Sequence, residues 1–125
     1  MSKKIMIVDD TRDTVGMVKA LLESEGFDTL CAYNGKEALE KLKEVEKKPD
    51  LILLDMFMPE MSGREVCEQI RMDDELKDIK IAFFTVAAFR AQGKQMLKDL
   101  QISDYITKPF DIDDLIKRVN RILVE

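Results

Sequence analysis

Short apolar runs alternate with segments of helical periodicity along this chain, and that alternation restricts the folds that it can adopt. The runs KIMIV (4–8), LILL (51–54) and KIAFFTV (80–86) are apolar on both sides of the chain, as the central strands of a parallel sheet are. DTLCAY (28–33) alternates like an edge strand, and DYIT (104–107) is a further short apolar run. The sequence therefore predicts five strands.

Helical segments follow each of these strands. Their apolar residues recur three and four positions apart, Gly26 ends the first segment in a left-handed conformation, and Pro49 closes the second. Strands that alternate with helices form a parallel sheet with helices on both faces, so we predict an α/β fold. The five predicted helices cover residues 10–25, 36–48, 64–72, 89–100 and 111–125.

Composition limits the size and the partners of the protein. A length of 125 residues, 46% of them hydrophobic, fits a single domain over residues 1–125 with a buried core. The net charge of −5 disfavours nucleic acids and membrane surfaces as partners. The sequence has neither a bilayer-spanning apolar stretch nor a signal-peptide pattern, so we expect a cytoplasmic protein.

The chain contains two cysteines and no histidine. Cys31 and Cys67 form no metal-binding pattern, and we expect both to be reduced and to act as small apolar residues. The absence of histidine excludes Ser-His and Cys-His catalysis and His-ligated zinc. Any metal ion must therefore be held largely by oxygen atoms, which favours Mg²⁺, Mn²⁺ or Ca²⁺.

Polar residues stand at the ends of four predicted strands. Asp9 and Asp10 follow the first strand, Asp55 the third and Lys108 the fifth, while Thr85 lies near the end of the fourth. These ends share one edge of a parallel sheet, where ligands bind at the reversal of strand order. Each residue alone has an ordinary interpretation, as a helix cap, loop acid, strand former or solvated lysine. Their joint placement favours a shared cleft.

Carboxylates that converge in such a cleft need positive charge. Two like charges about 4 Å apart repel by about 4 kcal/mol at an effective dielectric near 20. A lysine removes part of this penalty and a divalent cation removes more. The acidic residues therefore favour a site for a hard cation.

Four motifs together resemble the receiver domain of two-component response regulators, over essentially the whole chain. They are VDD (8–10), LLDMFMP (53–59), FFT (83–85) and YITKPF (105–110). The resemblance implies a flavodoxin-like, doubly wound, five-stranded parallel sheet of strand order 2-1-3-4-5 with five helices.

The resemblance also implies roles for the matching residues. Asp55 matches the phosphoacceptor aspartate. Asp10, Asp55 and the backbone carbonyl of Phe57 match the Mg²⁺ ligands, with Asp9 acting directly or through water; Mn²⁺ could take the same place. Lys108 matches the lysine that pairs first with the acceptor and then with the phosphoryl oxygens.

Two further residues match the family's switch. Thr85 matches the hydroxyl that moves onto the phosphoryl group, Tyr105 matches the aromatic residue that changes rotamer with it, and the Lys108–Pro109 bond matches a cis peptide bond. The implied function is Mg²⁺-dependent acceptance of a phosphoryl group from a histidine kinase or phosphotransfer protein. The chain would catalyse only its own phosphorylation and dephosphorylation. Output would pass to a downstream protein or a second receiver through helix 89–100, the fifth strand and the last helix.

The sequence departs from the family at several positions. Val86 follows the threonine where a small residue is usual, and Gln101 stands where glycine is usual, which puts the turn before the fifth strand in doubt. Phe57 and Ala87 match the side chains that flank the hydrolytic water. Neither can hydrogen-bond water through its side chain, so we expect a long-lived phosphorylated state.

The sequence also contains a row of basic residues on one predicted helix, and it leaves three alternative functions to consider. Arg90, Lys94 and Lys98 recur four positions apart on helix 89–100, either as a solvated face or as a contact for an acidic partner. The alternative functions are a phosphate-independent receiver-like binding module, a flavodoxin and a phosphatase. The acidic loop DDTRD (9–13) would repel an anionic flavin cofactor. The cognate kinase, the output, and whether the chain acts alone or within a longer protein stay open.

Overall fold

The computed structural model describes residues 2–86, 95 and 98–124, apart from the side chains of Thr85 and Val86. Within this part of the chain the strands are β1 (Lys4–Val8), β2 (Asp28–Ala32), β3 (Leu51–Asp55), β4 (Lys80–Val86) and β5 (Asp104–Lys108). The helices of the described ranges are α1 (Arg12–Ser24), α2 (Gly35–Glu44), α3 (Gly63–Met72) and α4 (Ile112–Val124).

Helix 89–100 of the sequence prediction lies mostly outside the described residues. Gln95, Lys98 and Asp99 are described and have helical geometry. Arg90 and Lys94, which complete the predicted row of basic residues, lie outside the described residues, as does Ala87.

The five strands form one parallel sheet in the order β2-β1-β3-β4-β5, which confirms the predicted topology. The chain runs outward from β1 to β2 in one direction and from β3 to β5 in the other. The strand order therefore reverses between β1 and β3, and the cleft expected of such a sheet lies beyond the carboxyl ends of these two strands.

The core has two layers, one on each face of the sheet. On one face, α2 and α3 pack against alternate strand residues such as Met6, Ile52 and Phe83. On the other face, α1 and α4 pack against the intervening residues, such as Ile7 and Phe84. Because β1, β3 and β4 are covered on both faces, they are apolar at successive positions, as the sequence predicted.

Several element ends differ from the prediction. The second helix ends at Glu44 rather than at residue 48, because the Lys48 ammonium donates to the carbonyl oxygens of Leu42 (2.6 Å) and Val45 (2.8 Å) and so caps the last turn. The Asn34-Gly35 pair starts this helix, since the Asn34 side chain accepts a hydrogen bond from the Glu37 N–H.

Other local predictions are confirmed. Gly26 ends α1 with a φ of 92°. Cys67 is buried, Cys31 is partly buried, and both are free thiols. None of the helices over the described ranges has the length and apolar character that crossing a membrane requires.

Candidate functional site

The carboxyl ends of β1, β3 and β5 bring three charged side chains together. Asp9 directly follows β1, Asp55 is the last residue of β3, and Lys108 is the last residue of β5. The N–H of Asp9 donates to the carbonyl oxygen of Ala32 at 3.2 Å, which fastens the loop after β1 to the end of β2. Sheet topology therefore positions the site, although Asp9 and Lys108 lie 99 residues apart.

Lys108 connects the two buried acids. Its ammonium nitrogen lies 2.6 Å from Asp9 Oδ2 and 3.6 Å from Asp55 Oδ1. Asp9 is fully buried, and its other oxygen accepts a hydrogen bond from the Thr11 N–H at 2.9 Å. Both oxygens of this carboxylate are thus satisfied, as a buried charge requires.

The surroundings of the Asp55 carboxyl group disfavour its charged form. Burial, then the nearby charge of Asp9, raises the pKa of Asp55 from 3.8 to about 6. The charge of Lys108 and a 3.3 Å hydrogen bond from the Phe57 N–H oppose this rise, while Asp10 adds to it. At neutral pH the carboxylate is mostly ionised, accessible over a small fraction of its surface, and incompletely neutralised.

Three carboxylates of this cluster converge on one point. One oxygen each of Asp9, Asp10 and Asp55 lies within 4.8 Å of the others, with Asp10 exposed and the other two buried. Over the residues that the structure describes, Lys108 is the cation paired with this cluster of three carboxylates, so the cluster keeps a negative excess. Oxygen ligands with excess negative charge fit a hard divalent cation such as Mg²⁺.

The predicted switch residues lie on the neighbouring strands. Thr85 pairs in register with Thr107, and its side chain lies outside the described part of the chain. Tyr105 pairs with Phe83, is partly buried, and packs against the core layer that α2 and α3 cover. The Lys108–Pro109 peptide bond is cis.

Aromatic rings contact two of the cationic side chains near the site, and the sequence did not predict these contacts. The Lys108 ammonium lies 5.7 Å from the centre of the Phe84 ring, and Phe84 stacks on Phe110 with a centroid distance of 5.4 Å. Arg12, the first residue of α1, stacks on the Tyr33 ring at 4.1 Å. These contacts place Lys108 near the Phe84–Phe110 ring pair and Arg12 against Tyr33, the residue after β2.

Gly63 lies in close contact with the end of β3. A Cβ atom at this position would collide with the Asp55 carbonyl oxygen and would lie 2.9 Å from Met56 Cα. The start of α3 can therefore pack directly on the end of β3 only with glycine. Ser62 and Glu65 form a capping box at this helix start, and the S-x-x-E spacing is a signal that could have located it from sequence.

Comparisons with known proteins agree with this geometry. The family model of the response regulator receiver domain matches residues 5–120. Chemotaxis protein CheY4 of Vibrio cholerae is 30% identical with a TM-score of 0.88, over 98% of this chain and 99% of that one. The receiver domain of a signal transduction histidine kinase from Syntrophus aciditrophicus is 31% identical with a TM-score of 0.85, over 98% and 91% of the two chains.

A third similar structure supports the fold alone. A response regulator receiver domain protein from Clostridium thermocellum is 24% identical with a TM-score of 0.87, over 98% of this chain and 94% of that one. The family match covers most of the chain, and these structures match its fold over almost their whole length. The chain therefore belongs to the response regulator receiver domain family.

Proposed function

We propose that this receiver accepts a phosphoryl group on Asp55, donated by a histidine kinase or a phosphotransfer protein. The observation that supports this proposal most directly is the placement of Asp55. Its carboxylate is largely buried at the carboxyl edge of the sheet, at the reversal of strand order, with Lys108 Nζ 3.6 Å away. A nucleophile in this position is fixed by β3 and keeps a small exposed surface.

The transfer is an in-line displacement at phosphorus. An oxygen of Asp55 forms a bond to phosphorus while the bond from phosphorus to the donor's imidazole nitrogen breaks, and the imidazole leaves with the electron pair. Positioning and neutralisation of charge carry most of such a reaction. Lys108 lies within reach of the acceptor and supplies one positive charge, while Asp9 holds the ammonium in place.

The acidic cluster would hold the metal ion of this reaction. We assign Asp10, Asp55 and the backbone carbonyl of Phe57 as its ligands, with Asp9 acting directly or through water, and with Mg²⁺ favoured and Mn²⁺ acceptable. When bound, the ion would supply positive charge that neutralises the phosphoryl group. The negative excess of the three carboxylates supports this assignment.

We assign the conformational response to phosphorylation to β4 and β5, which carry Thr85 and Tyr105. The Thr85 hydroxyl would donate to a phosphoryl oxygen, and the Tyr105 ring would turn inward on the surface of β5. This would change the face formed by helix 89–100, β5 and α4, through which we expect contact with a downstream protein or a second receiver. We further propose that residues 1–125 form one receiver domain in the cytoplasm, which turns over only its own acyl phosphate.

Labelling with acetyl phosphate tests the assignment. In Mg²⁺ the chain should gain one phosphoryl group, measured by intact mass, and EDTA should prevent it. Asp55→Asn should remove the modification. Asp28→Asn, which changes an exposed acid at the start of β2, should keep it.

Two results would count against phosphotransfer. Undiminished labelling of Asp55→Asn would show that another residue is the acceptor. Unmodified wild-type protein under conditions that label an established receiver would favour a phosphate-independent binding module instead.

A further inference from the structure

Arg71, in the last turn of α3, binds two separate loops through their main chain. Its Nη1 donates to the carbonyl oxygens of Lys77 and Ile79, each at 2.8 Å, in the loop before β4. Its Nε donates to Leu100 O at 2.9 Å and its Nη2 to Gln101 O at 3.2 Å, in the turn before β5. Over the described ranges, no carboxylate lies within ion-pair distance of this guanidinium, so its charge acts on carbonyl oxygens.

The turn before β5 needs such support. Gln101 has a φ of 55°, a left-handed conformation that costs a residue with a side chain about 1 kcal/mol or more. Leu100 and Gln101 directly follow the helical residues Lys98 and Asp99. A cation that binds carbonyl oxygens at a helix end is favoured both by hydrogen bonding and by the helix dipole.

The rest of this turn is also fastened, up to the residue before Tyr105. Ile102 is buried in the core, and the Ser103 N–H donates to Ile81 O at 2.8 Å. The Asp104 carboxylate accepts from Arg118 at 2.8 Å and from Arg121 at 3.0 Å. We call residues 100–104 the anchored turn; α3 holds its first half and α4 its last residue.

We propose that Arg71 is a positioning residue for the response of Tyr105 to phosphorylation, an inference that rests on the proposed function. Because the turn before β5 is held in place, the backbone of β5 cannot shift when the neighbouring strand β4 rearranges. The Tyr105 side chain then has to take up the change by rotation of its ring. Arg71 connects α3 to the anchored turn. Without the Arg71 side chain, the backbone of this turn can move in place of the Tyr105 ring, and the conformational change of Tyr105 on the surface of β5 becomes smaller.

Tyrosine fluorescence can follow this response directly. The chain has two tyrosines and no tryptophan, so Tyr33→Phe leaves Tyr105 as the single emitter and keeps an aromatic ring for Arg12 to stack on. In this background, emission is recorded before and after phosphorylation by acetyl phosphate in Mg²⁺. Intact mass gives the phosphorylated fraction in the same samples.

Three substitutions separate positioning from general stability. Arg71→Ala removes all four hydrogen bonds, and Arg71→Lys keeps the charge without the planar fork. Arg64→Ala is the matched control, because Arg64 lies on the same helix and, among the described residues, forms its ion pair with Glu68, at 3.7 Å, on the exposed surface. We expect Arg71→Ala to be phosphorylated at a similar rate. Its emission change per phosphoryl group should fall about threefold or more, with a smaller fall for Arg71→Lys and none for Arg64→Ala.

Hydrogen exchange provides a second readout. Amides of the anchored turn should exchange about tenfold faster in Arg71→Ala than in the reference protein. A full emission change in a phosphorylated Arg71→Ala variant would overturn the inference and leave the phosphoacceptor assignment intact. Failure of the reference protein to be phosphorylated, seen in its mass, would overturn both; phosphorylation without any emission change would overturn this inference and the assigned switch.

Discussion

Replacement of Asp55 by asparagine should stabilise the metal-free protein at neutral pH, although it removes the predicted phosphoacceptor. Burial and the neighbouring Asp9 charge raise the pKa of Asp55 from 3.8 to about 6. At 1.36 kcal/mol per pH unit, this shift corresponds to about 3 kcal/mol of destabilisation when the carboxylate is ionised. Asparagine has nearly the same shape and carries no charge, so it avoids this cost.

The sign of the effect follows from proton linkage. The folded protein binds the Asp55 proton more tightly than the unfolded chain does, so this group makes stability fall as the pH rises from about 4 to about 6. Above about pH 6 the full cost is present, and below about pH 4 it is absent. The advantage of Asp55→Asn should therefore be large at neutral pH and small in acid.

Urea unfolding in EDTA measures the difference. Wild type and Asp55→Asn are compared at about pH 7.5 and about pH 4.5, and we expect a gain of about 2–3 kcal/mol at the higher pH and clearly less at the lower one. Asp28→Asn serves as the control for loss of an exposed acid, with little change expected. Equal stability of wild type and Asp55→Asn at the higher pH, or an equal gain at both pH values, would refute the electrostatic account of the site.

Three further substitutions test other parts of the structure. Gly63→Ala should lower the free energy of unfolding by about 1–3 kcal/mol, because the added Cβ collides with the Asp55 carbonyl oxygen; Gly16→Ala, where the Cβ has open space, is the control, and an equal loss there would contradict this reason. Gln101→Gly should raise the free energy of unfolding by about 0.5–1 kcal/mol in urea, because it relieves a φ of 55°; a lower value would show that the side chain stabilises the turn. Phe57→Asn should shorten the lifetime of the acyl phosphate several-fold after removal of the donor, because an amide can orient water where an exposed ring cannot; an unchanged decay would show that Phe57 does not control water access.

The sequence was sufficient to predict the order of strands and helices, because the apolar patterns that mark the strands extend over only a few neighbouring residues. A strand covered on both faces must be apolar at successive positions, and β1, β3 and β4 are. Strands that alternate with helices leave few topologies for a sheet of this size. Helix ends were less predictable, since the end of α2 at Glu44 depends on the Lys48 side chain folding back onto its carbonyl oxygens.

The candidate site was located by the same reasoning, but its charge distribution was not. The strand pattern placed Asp9 and Asp10 together after the first strand, and only the family resemblance implied different roles for them. The structure buries Asp9 against Lys108 and leaves Asp10 exposed, because adjacent residues at a strand end point to different sides. Burial and then the nearby Asp9 charge raise the pKa of Asp55, and Lys108, 3.6 Å away, offsets only part of this rise.

The sequence by itself determined the α/β fold and, through the family resemblance, the strand order. It also predicted the residues at the carboxyl edge, where the structure places Asp9, Asp55 and Lys108. Only the tertiary structure decided which carboxylate Lys108 neutralises, why position 63 must be glycine, and how Arg71 fastens two loops. The reason is distance along the chain. Patterns of apolar residues act over a few positions, whereas the Lys108–Asp9 contact joins groups 99 residues apart, and the Arg71 contact to Leu100 spans 29.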